Sequence, residues 1–293
     1  MHSRFAIQLI AVLLAGSVWA VEVKTAAQLN SFAWRHKAEW FGGFSALHVS
    51  DNGRQLIALS DRAVLVRATI ARDGDQITGL RITGNWPVLS STGQILSGSA
   101  GDSEGIAVAP DGSYYISFEW LHRVARYTSP DANARVLPRP KAFEDLSRNG
   151  SFEALAIDNR GQLYTLPEKS RTRQGDIPVY RWDGQGWSTP FALPQRGKFL
   201  PVSADFGPDG RFYVLERSLS LTGFRTRLRR WQIVGDRPEA EETLFTSGTG
   251  AHDNLEGLSV WRDDQGRLRA TMISDDNFLA LQRTELVEYL LPD

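Results

Sequence analysis

One short motif recurs five times along the chain, and a chain that repeats itself at this period has few architectures open to it. The copies read FSALHVSDNGR at 44–54, SEGIAVAPDG at 103–112, FEALAIDNRG at 152–161, VSADFGPDG at 202–210 and LEGLSVWRDDQG at 255–266. Each is an alternating apolar strand followed by a turn in which Asp or Asn stands shortly before Gly, the chemistry of a tight hairpin. A second strand follows every turn, at 55–60, 114–118, 162–166, 211–215 and 268–274. Counted on the second residue of each copy, Ser45, Glu104, Glu153, Ser203 and Glu256, the intervals are 59, 49, 50 and 53 residues. Each interval accommodates one four-stranded antiparallel sheet with its loops, roughly 40–50 residues.

Further strands fit between the hairpins: 63–71 with 76–83, 123–127 with 135–137, 179–182 with 187–193, and 228–234 with 241–245. The last unit has only 285–291, so its fourth strand is expected from the N-terminus, around 33–40. Such a strand would lock a ring shut. The pattern predicts an all-β chain forming a single β-propeller of four-stranded antiparallel blades. Five blades are favoured, and a six-bladed ring with one degenerate blade is the alternative. A β-sandwich would not need the same sequence five times. No linker or low-complexity stretch divides the chain, so residues 21–293 are read as one domain.

Residues 1–20, MHSRFAIQLIAVLLAGSVWA, carry Arg4, an apolar run from Phe5 to Ala15, and small residues up to Ala20. This is a secretory leader pattern with cleavage expected after Ala20. Export to the periplasm or the medium follows from it. The chain has no Cys, which excludes disulfides, thiolate metal sites and a Cys nucleophile. Lys plus Arg is 33 against 34 Asp plus Glu, a balance that gives no support to nucleic-acid binding. No further stretch is apolar and long enough to span a bilayer, so no membrane contact is expected once the leader is removed. A monomer is expected.

Acids recur at fixed places in the repeat. Glu104, Glu153 and Glu256 open the first strand of three units, where the other two have Ser45 and Ser203. A second row follows strand two: Asp61, Glu119, Glu168, Glu216 and Asp275, with Asp276 beside it. The innermost strands of a propeller border its central channel. Acids converging there would repel one another unless paired or metal-bound. Oxygen donors without Cys point to calcium or magnesium. Both rows are therefore candidate ligands of a divalent cation, calcium first, and no organic cofactor is expected. Alternatively, each acid bonds the backbone of the neighbouring blade.

Cations lie beside the second row. Arg62, Lys169 and Arg217 follow acids directly, and Arg171 lies just beyond Lys169. With Trp120 they are candidates to bind an anionic substrate at the rim. Arg229 and Arg230 read as solvated loop charges. His122 and His252 stand near Glu119 and Glu256 and are candidate general acids or bases, with Glu104, Glu153 and Glu256 as the candidate catalytic carboxylates. The run Gly101-Asp102-Ser103-Glu104-Gly105 matches the nucleophile-elbow pattern in form only. It opens a strand instead of a strand-to-helix turn, so Ser103 is not read as a nucleophile.

At FGGFSAL from 41, DSEGIAV from 102, SFEALAI from 151, LPEKSR from 166, VSADFGPDGRFYVLER from 202, NLEGL from 254 and ISDDNF from 273, the chain resembles the phytase-like family. That family of exported bacterial propellers is described by "esterase-like activity of phytase". The resemblance implies hydrolysis of ester or phosphate-ester bonds. The calcium-dependent propeller phytases are a more distant resemblance, and this chain lacks their dense Asp-rich loops. The combined expectation is an exported hydrolase of phosphate or carboxylic esters acting on a small anionic substrate. The alternative is a non-catalytic periplasmic propeller that binds a ligand or a protein partner.

Overall fold

The structure is a computed structural model that describes residues 25–144, 146–147, 150–279 and 281–293. The expected leader and its cleavage point after Ala20 lie outside the described residues. The chain runs as β1 (Ala27–Ala33), β2 (Phe44–Ser50), β3 (Gln55–Ser60), β4 (Val64–Asp73) and β5 (Gln76–Pro87). It continues as β6 (Ser103–Val108), β7 (Tyr114–Phe118), β8 (Arg123–Tyr127), β9 (Arg135–Val136), β10 (Ala154–Ile157), β11 (Leu163–Leu166), β12 (Ile177–Trp182) and β13 (Trp187–Leu193). It ends with β14 (Leu200–Phe206), β15 (Phe212–Ser220), β16 (Gly223–Val234), β17 (Arg237–Thr246), β18 (Asn254–Arg262), β19 (Leu268–Asp275) and β20 (Glu285–Leu290).

These strands form five four-stranded antiparallel sheets: β2 to β5, β6 to β9, β10 to β13, β14 to β17, and β18 to β20 with β1. The innermost strands β2, β6, β10, β14 and β18 each touch the next, and β18 returns to β2. The molecule is thus a five-bladed propeller, and the repeat marks the first two strands of every blade. Its Asp residues cap the inner hairpins. Asp111 accepts from the Ser113 amide, Asp158 from Arg160 and Gln162, and Asp263 from Gln265 and Arg267. Gly112 and Gly161 both turn at φ 79°, a conformation that a Cβ disfavours.

The ring closes where expected, by an N-terminal strand on the outside of blade 5. That strand is Ala27–Ala33, which pairs antiparallel with β20 from Leu290 to Glu285, and not 33–40. Residues 34–43 are instead a connection whose Trp34 is buried and stacks on Phe44 at 5.3 Å. Filling an inter-blade gap with an aromatic ring wins over extending the sheet. Arg72 of blade 1 grips both carboxylate oxygens of Glu288 in blade 5, at 2.7 and 2.6 Å, across the closure.

The core lies between blades. Leu47, Leu56 and Ile273 pack blade 1 on blade 5, and Tyr164, Phe212 and Trp231 pack blade 3 on blade 4. Burying such side chains contributes about 1.5–3 kcal/mol each. Arg229 and Arg230 are not the solvated loop charges expected from the sequence. They lie in β16 and are buried, because Glu216 and Glu241 hold the first and Glu242 and the Pro292 carbonyl hold the second.

The antiparallel order sorts the connections onto two faces. The lower face carries the inner hairpins and the turns between third and fourth strands. The upper face carries the turns between second and third strands and the crossings from blade to blade. Both rows of repeat acids belong to the upper face.

Candidate functional site

A β-bulge sets the first ring of side chains. In blades 1, 2, 4 and 5 the register slips by one residue at Ser45, Glu104, Val202 and Glu256. Glu153 holds the matching place just before β10. A bulge leaves its extra residue unpaired and re-aims it. Here it turns Glu104 and Glu256 to the upper mouth, where Glu153, from the residue before β10, joins them. The repeat follows each bulged Glu with a small residue for a packing reason. A Cβ on Gly105 would stand 2.7 Å from Leu155, and one on Gly257 2.7 Å from Ile273. In blade 4 the ring position is Val202, one residue before Ser203.

The second ring stands where strand two ends. The Asp61, Glu119 and Glu168 amides donate to the carbonyls of Gly43, Asp102 and Ser151, and Asp275 pairs with Asn254. The blade 4 residue at this position is Arg217, opposite Leu200, and not Glu216, which pairs with Pro201. Glu216 faces the other way, fully buried, and accepts from Arg227 at 2.6 Å and Arg229 at 2.5 Å. Its oxygens are saturated by guanidinium groups inside the blade, which removes it from the second row. The sequence carries the signal for this correction. Arg217 lies fifteen residues after Val202, as Glu119 does after Glu104 and Glu168 after Glu153.

Arg217 is therefore a cation within a ring of acids. It donates to Glu256, to Asn254 Oδ1 at 2.5 Å and to Glu168 Oε1 at 3.1 Å. Asn254 also donates to Glu256 Oε1 at 2.9 Å. On the opposite side of the mouth, Asp102, Glu104 and Glu119 each offer one oxygen, all within 4.8 Å of one another. Among the described residues, no guanidinium bonds these three. Glu119 also accepts from the Gly150 amide, tying blade 2 to the approach to blade 3. Asp102 was not among the sequence candidates. The signal was its place directly before the strand, the place that Asn254 fills in blade 5.

The charge balance shows in the proton affinities. Burial, then Glu153 and Glu256, push the Glu104 carboxyl well above its ordinary range. Burial, then Glu168, Glu119 and Glu256, do the same to Glu153, against the pull of Arg217. Burial also raises Glu256, and Arg217 opposes it. Burial lifts Asp61 to about 6, Asp102 to about 7 with Glu119 adding to it, and Asp275 to about 8 with Glu256 adding to it. Asp61 Oδ1 is buried without a hydrogen-bond partner. All-carboxylate oxygen donors fit a hard divalent cation, and the orphaned Asp61 oxygen belongs to a residue that lines the adjoining cavity with Asp102. The residues that would hold it are Asp102, Glu104 and Glu119; Glu153 and Glu256 lie with Arg217.

The remaining candidates divide. Arg62 and Trp120 line a cavity of about 470 Å³ with Asp61 and Asp102, and the Arg62 guanidinium covers the Phe278 ring. Lys169 Nζ stands 3.3 Å from Glu168 Oε2. Arg171 braces its own loop by donating to the Glu168 and Ser170 carbonyls and to Gln195. The histidines are not brought to the mouth. His122 is buried with its ring nitrogens on the Phe143 and Ser147 carbonyls, at 2.8 and 3.1 Å. His252 is buried against the Tyr289 hydroxyl at 2.9 Å, and burial lowers its pKa. Ser103 is fully buried and donates to the Ser60 carbonyl at 2.7 Å, a tie between blades 1 and 2.

A family model described as phytase-like, esterase-like activity of phytase, matches residues 39–278. No curated protein matches the sequence. Among solved structures, the α-L-arabinofuranosidase of Podospora anserina in complex with cellotriose is 12% identical with a TM-score of 0.56, covering 92% of this chain and 98% of its own. The PQQ-bound aldose sugar dehydrogenase of Streptomyces coelicolor is 12% identical with a TM-score of 0.48, over 92% of this chain and 99% of its own. The likeness to the arabinofuranosidase is one of fold.

Proposed function

The chain belongs to the phytase-like family, and from that premise we propose that it is an exported hydrolase of phosphate or carboxylic esters whose upper mouth works with a divalent cation, calcium first. The observation that carries the reading is the gathering of Asp102, Glu104 and Glu119 oxygens within 4.8 Å, beside a mouth whose embedded guanidinium, Arg217, is already bonded to Glu168 and Glu256. An anion entering this mouth meets a surplus of carboxylates, so binding it requires added positive charge. Asp102, Glu104 and Glu119 would hold that charge. The bound cation would polarise the ester and lower the pKa of water beside it.

The chain's own groups supply the rest. Glu153, whose proton affinity burial and the neighbouring carboxylates raise well above the ordinary carboxylate range, would serve as the acid that protonates the leaving oxygen. Arg217 holds Glu256 and Glu168 in place and sets the electrostatic floor of the mouth. Arg62 and Trp120 border the cavity through which substrate approaches. Export rests on the leader at 1–20.

The test uses metal-stripped mature protein with p-nitrophenyl phosphate and p-nitrophenyl acetate. Calcium should raise both the melting temperature and the turnover of one of these esters. Glu104→Gln and Asp102→Asn should lose both effects, and Glu153→Gln should lose turnover while keeping the calcium shift. Turnover independent of calcium would remove the cation from the reaction. A calcium shift without turnover of either ester would leave a cation-binding propeller that takes a ligand without catalysis.

A further inference from the structure

Two kinds of side chain are sorted between the faces of the ring. Of the large apolar side chains left exposed, most stand on the upper face. Leu219 and Leu221 form the tip of the β15–β16 hairpin, the latter 107% exposed. Leu279 and Leu281 stand in the β19–β20 connection, the latter 97% exposed. Trp120 and Leu121 follow β7. Of the other three, Val234 belongs to the lower face, Val136 sits in an outer strand, and Ile95 lies on the flank of blade 2, opposite Leu89, whose carbonyl accepts from the Tyr127 hydroxyl.

The lysines sort the same way. Lys37, Lys141, Lys169 and Lys198, every lysine among the described residues, lie in upper-face connections, and all four are exposed. The exposed Arg35, Arg62, Arg173 and Arg283 join them there. The lower face has no lysine among the described residues; its hairpin acids Asp75, Asp111 and Asp236 pair with Arg267, Arg126 and Arg181, and Arg54, Arg160 and Arg237 stand exposed beside them. The upper face therefore presents leucines and tryptophan at loop tips, with lysines and arginines spread around them and the acids recessed at the axis.

Apolar tips that insert, surrounded by cations that meet headgroup phosphates, make the pattern of a surface that lies on a membrane without crossing it. A purely apolar patch would suit a second copy of the chain. The ring of cations favours an anionic surface instead, because two copies facing each other would bring like charges together. No helix of the described residues is long and apolar enough to cross a membrane, and none is needed for this mode. We propose that the upper face docks on anionic phospholipid surfaces, with Leu221 and Leu281 as the inserting tips and the lysines as the charge-matching rim. This replaces the sequence expectation of no membrane contact. It places the mouth against the lipid, and it stands whether or not the hydrolase reading holds.

The test is co-sedimentation of the mature protein, with chelator present, with vesicles of phosphatidylcholine alone or with added phosphatidylserine. Binding to the phosphatidylserine vesicles, weakened by salt, is expected. Leu221→Ser with Leu281→Ser should weaken it about tenfold or more, since each removes apolar area from the bilayer. Both side chains are exposed, so a melting curve should show the double variant folded. Val234→Ser on the lower face should leave binding unchanged. No binding, equal binding to both vesicle types, or binding that survives the leucine changes would each overturn the proposal. So would self-association without vesicles that the double variant abolishes, which would make the face an interface between copies.

Discussion

Replacing Arg217 by Gln isolates the electrostatics of the mouth. The guanidinium is largely buried, at 19% side-chain exposure, between Glu168 at 7% and Glu256 at 14%. Removing one partner of such a buried cluster leaves carboxylates without compensation, at a cost of about 3–5 kcal/mol. The cost should depend on pH. Burial already raises the Glu256 and Glu153 proton affinities, and Arg217 opposes the rise in both. Without it, a carboxyl in the folded mouth takes up a proton that the unfolded chain does not bind at neutral pH. Each unit of acidification makes that uptake about 1.4 kcal/mol easier. Urea unfolding should show a loss near the upper figure around pH 8, shrinking to about 1 kcal/mol around pH 5. An equal loss at both pH values would refute the argument and leave Arg217 as packing alone.

Three further outcomes follow from the same geometry. Asp275 and Asp102 have folded-state pKa values raised to about 8 and about 7, so the stability they contribute is full below their ordinary range near 3.8 and declines as pH rises through those values; Asp275→Asn should flatten part of that decline in urea titrations without metal, and an unchanged slope would place its titration elsewhere. Glu216→Gln should cost about 3–5 kcal/mol by stranding Arg227 and Arg229, yet leave any calcium-induced melting shift intact; loss of that shift would return Glu216 to the mouth. Ser103→Ala should cost about 1–2 kcal/mol for its buried bond to Ser60, with ester turnover retained; abolished turnover in a folded variant would refute the reading of Ser103 as a tie between blades alone.

Much of the fold was legible because its signals are local. The Asp and Gly of each inner hairpin act on amides within a few residues, so they recur wherever the hairpin does. The acids at Asp61, Glu119, Glu168 and Asp275 were legible as a row because they follow strand two in every blade that has them. His122 and His252 were misleading for the opposite reason: proximity in sequence to Glu119 and Glu256 says nothing about which partners from distant segments occupy the ring nitrogens. Both are buried on partners that come from other segments, Phe143 and Tyr289. Arg229 and Arg230 misled similarly, since a run of arginines reads as solvated until Glu216, Glu241 and Glu242 are seen beside them.

The sequence by itself favoured five blades over six, called for an N-terminal strand at the closure, and set two rows of acids at fixed places in the repeat, because periodicity and turn chemistry are properties of short segments. The tertiary structure decided which side chain occupies each ring position. Successive residues of a strand point to opposite faces, and one bulge residue reverses the set. That single-residue choice makes the blade 4 member of the second ring Arg217 instead of Glu216. Asp102 reaches Glu104 and Glu119 only because the start of strand one and the end of strand two meet at the same mouth, a contact made by folding and not by spacing.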